Sequence, residues 1–87
     1  MRTRPARPHE RAALHRAIRR WHGRTIPNGR PSKAQARPER FDQEQLAIGV
    51  AVELEHTRRP EMAMQIAMAH LLEMPDYYAR LESVERR

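Results

Sequence analysis

The chain has 87 residues, a formal net charge of +6, no cysteine and only 5% aromatic residues. One small domain fits that length, and large catalytic folds, disulfide scaffolds, thiolate zinc sites and cysteine nucleophiles are excluded. No apolar run approaches the roughly 18–20 residues of a membrane span, and the N-terminus lacks the apolar stretch of a secretory signal.

Charge divides the chain. Residues 1–40 carry eleven Arg and one Lys against Glu10 and Glu39, a net of +10, whereas residues 41–87 carry five Arg against nine acids, a net of −4. Five of the seven prolines fall in the first part. A basic, proline-punctuated arm over 1–40 followed by an apolar-rich, mildly acidic module over 41–87 is the expected organisation.

Within the arm a helix is predicted over about 9–22. Pro8 suits its first turn, Glu10 the positive end of its dipole, and Gly23 its C-cap. Leu14, Ala17, Ile18 and Trp21 recur at helical spacing as one narrow apolar stripe. Residues 24–40 have no period and contain Pro27-Asn28-Gly29, Pro31 and Pro38, which marks an extended linker.

From Phe41 the pattern becomes that of an all-α module, with helices over 42–57, 60–73 and 76–85 arranged antiparallel and the basic helix set apart from them. Asp42 is the expected N-cap of the first, with Gln45 placed to complete a capping box. Gly49 inside that helix is costly unless another backbone approaches it closely. Pro60 opens the second helix, whose Met62, Ala63, Met64, Ile66, Ala67, Met68, Ala69, Leu71, Leu72 and Met74 leave almost no polar face. Such a helix is central or covered by another subunit. Pro75 ends it. The last helix carries Tyr77, Leu81 and Val84, and one ring of the Tyr77-Tyr78 pair is expected to pack near Phe41 and Leu46.

The pieces Gly49-x-x-Val52-Glu53-x-Glu55-His56-Thr57 and Ala67-x-x-His70-Leu71-x-Glu73-x-Pro75-Asp76-Tyr77-Tyr78 resemble a short, uncharacterised helical domain family of phage, bacterial and archaeal proteins. The resemblance covers about half of the chain and leaves the basic arm outside. It implies an all-helical module and supplies no activity.

The arm carries the strongest functional signal. Arginine makes bidentate, permanently charged contacts with phosphate. Arg16, Arg19, Arg20, Trp21, Arg24, Arg30, Lys33 and Arg37 are the candidate contacts to nucleic acid or an acidic surface. No sequence-reading motif accompanies them. Met62, Met64, Met68 and Tyr78 are the candidate partner or self-association surface, since methionine is adaptable and tyrosine favours interfaces.

Glu53-x-x-His56 and His70-x-x-Glu73 have a spacing found on metal-binding helices, so a site built on Glu53, His56 and His70 is the alternative. A tight hairpin argues against it. His70 lies ten residues beyond Pro60, about 15 Å along the axis. The simpler expectation is that Glu53, Glu55 and His56 pair with Arg58, Arg59 or Arg86 at the bend. Neither Ser32 nor Ser83 sits in a nucleophile motif. The sequence thus reads as a non-enzymatic phage-type interaction protein without a cofactor, a minor virion component located in the virion or the host cytoplasm. Its module docks on a protein partner and its arm on nucleic acid or an acidic surface.

Overall fold

The computed structural model describes residues 4–21 and 37–85, and all regular structure among them is helical. Helix α1 spans Pro8–Arg20, a short 3-10 turn spans Pro38–Arg40, and α2 (Gln43–Glu53), α3 (Pro60–Glu73) and α4 (Tyr77–Glu85) follow.

The ends of these helices follow local chemistry. Pro8 is at the start of α1, and the Glu10 carboxylate returns to accept the Arg7 backbone N–H at 2.7 Å. Two N–H groups left open by the first turn of α2 are those of Glu44 and Gln45, and the Asp42 carboxylate accepts both. The expected reciprocal contact from Gln45 is absent. Its side chain turns into the core, where its Oε1 has no partner among the described residues. Helix α2 also stops earlier than the predicted residue 57. His56 N–H bonds back to the Glu53 carbonyl at 2.8 Å, a tight last turn, and Arg59 is extended, the conformation Pro60 imposes on the residue before it. The C-cap of α1 is Trp21, not Gly23, which lies outside the described residues.

Six consecutive residues of α2, from Gln45 to Val50, are buried, and so are Ala63, Met64, Gln65, Ala67, Met68 and Leu71 of α3. Burial without periodicity is the signature of a helix covered on most sides. Helices α2 and α3 pack on each other, and α1 packs on both. The basic helix is therefore not set apart. Its Ala13, Leu14 and Ala17 belong to the same core as Leu46, Ile48, Met64, Met68 and Tyr78. The reason is apolar area: α3 has too few polar positions to face water, and the alanine-rich side of α1 is the surface that covers it.

Helix α4 docks chiefly through Tyr78, with Tyr77 and Leu81 packed half-buried against the core beside it. Tyr78 is 1% exposed, and its ring lies over Gly49, where a Cβ would fall 2.5 Å from Cε2 and 2.9 Å from Cζ. Gly49 makes room for an aromatic ring and for the close approach of α3, whose Ala67 Cβ would lie 3.0 Å from the same point. The ring lies one turn beyond Leu46 on α2, in the core cluster that holds Leu46 and has Phe41 packed against it.

Candidate contact surface

Helix α1 has one acid, Glu10, and the fold removes it from the surface. Its side chain is buried and takes both terminal nitrogens of Arg4, at 2.9 and 2.7 Å. The Arg4 guanidinium, with the Arg7 N–H, holds this carboxyl below the usual glutamate range despite its burial. The same guanidinium donates to Glu82 of α4 at 2.7 Å. The outward side of α1 is consequently cationic, with Arg16 and Arg19 exposed beside His15. Neither arginine has an acidic partner among the described residues.

The other predicted arm contacts separate into three groups. Arg20 is exposed and lies 3.4 Å from Glu61, and Arg37 is 3.4 Å from Glu39. Trp21 packs against the core, with its Nε1 buried and unpartnered among the described residues, so it is chiefly a packing residue and not an outward stacking platform. Arg24, Arg30 and Lys33 lie outside the described residues.

Sequence reasoning missed how much of the arm's charge is spent inside the molecule. Arg11 meets Glu44 at 3.4 Å, the Ala6 N–H donates to the same Glu44 carboxylate, Arg20 meets Glu61 and Arg4 meets Glu82. Every one of these carboxylates belongs to 41–87. The opposite net charges of the two parts were the available signal, because complementary halves of one chain are each other's nearest partners.

The expected partner surface does not face outward. Met64 and Met68 are 0% exposed and Tyr78 is 1% exposed, while Met62 is half-buried. They fill the core because α1 and α4 cover the sides of the central helices that the sequence left open. The large apolar side chains that remain exposed include Ile18, Leu72, Met74 and Val84. Leu72 lines a groove of about 330 Å³ with Arg40, Phe41, Asp42, Gln45, Leu71 and Pro75.

The residues of the metal alternative are only partly brought together. His70 Nε2 is 3.5 Å from Glu53 Oε2, closer than a count of Cα positions along a tight hairpin suggests. Side chains lean toward the N-terminus of their own helix, so in two oppositely directed helices these two long groups lean toward each other. His56 and Glu73 are exposed, and no three His, Cys, Asp or Glu side chains among the described residues are placed to hold one ion. The bend contacts expected of Glu53 are also replaced. Its carboxylate accepts the Tyr78 hydroxyl at 2.7 Å in the buried interior, and Arg59 pairs with Glu61 at 3.2 Å. Burial, reinforced by this hydrogen bond, pushes the Tyr78 phenol well above its ordinary value. His70 completes the cluster by stacking on Tyr77, with ring centroids 4.3 Å apart and planes 4° from parallel.

The family model described as "Protein of unknown function (DUF5661)" matches residues 28–87, and the chain belongs to that family. No curated protein and no solved structure matches. No helix among the described residues is long and apolar enough to cross a membrane.

Proposed function

We propose that this DUF5661 member is a non-enzymatic contact protein whose cationic arm lies along the phosphate backbone of nucleic acid. It works without a cofactor, as a minor component of a phage-type particle or in the cytoplasm of the host cell. The observation that carries the reading is the outward side of α1. Its single acid is buried under Arg4, and Arg16 and Arg19 stand exposed without an acidic neighbour among the described residues. Burying the acid leaves a surface of one sign, which attracts a polyanion through long-range charge and counterion release.

The folded module gives this surface a rigid base. Arg16 and Arg19 are three residues apart on one helix, so they share a side. Arg24, Arg30 and Lys33 extend the cationic sequence beyond the helix. Nothing in this set reads bases, and the binding expected is independent of sequence.

Titration of duplex DNA at several salt concentrations tests the reading. With about 5–8 phosphates neutralised, log K falls against log salt with a slope of about −4.5 to −7. Arg16→Gln with Arg19→Gln should flatten the slope by about 2 and leave the melting temperature unchanged. A salt-insensitive interaction, or one untouched by the double substitution, overturns it. Preference for an acidic protein over DNA at equal salt would replace nucleic acid by a protein surface.

A further inference from the structure

We infer that the surface of α2 and α3 beneath α1 is a helix-receiving site, and that its second occupant is α1 of another copy of this chain. The inference stands apart from nucleic-acid binding, because it concerns the inward side of α1. Four observations support it.

The docked segment is self-contained: residues 4–21 form one strap and helix. The family match covers residues 28–87, beginning after that helix, so the matched region includes the receiving surface and not its present occupant. The side of the strap and α1 that docks is mostly small, with Ala6 of the strap and Ala13, Leu14 and Ala17 of the helix as its buried apolar residues. Leu14 is the one large side chain among them.

Charge gives the docking its register. Arg4 reaches Glu82, Arg11 reaches Glu44 and Arg20 reaches Glu61, so cations spread along the strap and helix meet carboxylates on three different helices. An amphipathic helix with small residues inward and arginines at its flanks is therefore the chemistry the site accepts, a helix-in-groove mode of recognition. The nearest source of that helix is a second copy. Fifteen residues, 22–36, separate the described segments, and a chain of that length reaches about 50 Å when extended. That exceeds the 35 Å long axis of the molecule. Exchange of an identical element between copies is a low-cost route to a dimer, and here it places two cationic outer faces on one particle.

The test uses the full chain and a fluorescent synthetic peptide spanning residues 4–21. A tether supplies an effective concentration of order millimolar, so the wild type, with its own helix seated, should take up little peptide at tens of micromolar. Ala17 is 0% exposed. Ala17→Glu in the full chain should expel the resident helix and raise peptide affinity at least tenfold, and a peptide itself carrying Ala17→Glu should not bind. Should the full-length variant lose helicity, recovery with the wild-type peptide but not the substituted one supports the site equally. A variant that takes up no wild-type peptide, folded or unfolded, overturns it. Light scattering of wild type refolded at about millimolar concentration then identifies the second occupant. A species of twice the monomer mass is expected, and monomer alone removes the second copy from the proposal.

Discussion

Helices α1 and α4 both flank the central pair, yet they hold to it by opposite means. Helix α1 spreads its attachment over Ala13, Leu14 and Ala17, with ion pairs at intervals from Arg4 to Arg20. Helix α4 concentrates its attachment in Tyr78, which is buried over Gly49 and hydrogen-bonded to Glu53. Distributed small contacts spread the hold of α1 on the common core over several residues, none of which carries it alone. A single large anchor makes the core itself depend on one ring. Arg4 is the link between them, because it joins Glu10 of α1 to Glu82 of α4.

The contrast is broken most severely at the anchor. Tyr78→Ala should cost about 3–5 kcal/mol, the range for removing a buried aromatic, and leaves Glu53 without its hydroxyl donor. A chemical denaturation curve measures it, and a loss below about 1 kcal/mol would show that α4 does not depend on the ring.

A smaller effect is expected from Leu14→Ala, at about 2–3 kcal/mol, near the low end for such truncations because the flanking alanines and ion pairs remain. If it equals or exceeds the loss at Tyr78, the attachment of α1 is not distributed.

Gly49→Ala sharpens the anchor. Alanine favours a helix interior by about 1 kcal/mol over glycine, but the new methyl meets the Tyr78 ring, and overpacking costs about 1–3 kcal/mol. A net destabilisation of about 1 kcal/mol is expected. Combining it with Tyr78→Ala should shrink the loss, since the ring clash is gone and the contact with the Ala67 Cβ, at 3.0 Å, is what remains against the gain in propensity.

The smallest effect lies at the link and depends on pH. The folded-state pKa of Glu10 is depressed by Arg4. Its stabilising contribution is therefore fully present above the ordinary value of 4.5 and is lost as pH falls through the lower folded value. Glu10→Gln should lower the melting temperature at neutral pH and should flatten the acid limb of the stability profile below about pH 4.5. An acid limb of unchanged steepness would show that Glu10 is not the group responsible.

Much of this architecture is legible in the amino-acid sequence. Pro8, Asp42, Pro60 and Pro75 act through their own backbone neighbours, so they set helix starts and stops to within a few residues. The all-round apolar pattern of α3 announces a central helix. The end of α2 at Glu53 is harder to read, because the extended residues needed to reach Pro60 depend on where α3 lies. The candidate surface is half legible. Arg16 and Arg19 stand where the pattern puts them, whereas Trp21, Met64, Met68 and Tyr78 turn inward once α1 and α4 take their places.

By itself the sequence determined helices α1 to α4, their starts at Pro8, Asp42 and Pro60, and the separation of charge, since each start depends on residues within about one turn of one another. Only the tertiary structure decided what each charge and apolar face would meet. It brought the basic arm onto the acidic module, so that Arg4, Arg11 and Arg20 are paired, whereas Arg16 and Arg19 have no acidic partner among the described residues. It also gave Glu53 a tyrosine hydroxyl in place of an arginine at the bend. These contacts join residues up to 78 positions apart. They arise because burying α3 required a cover, and the helix that supplied it carried its arginines to whichever carboxylates lay beside that seat.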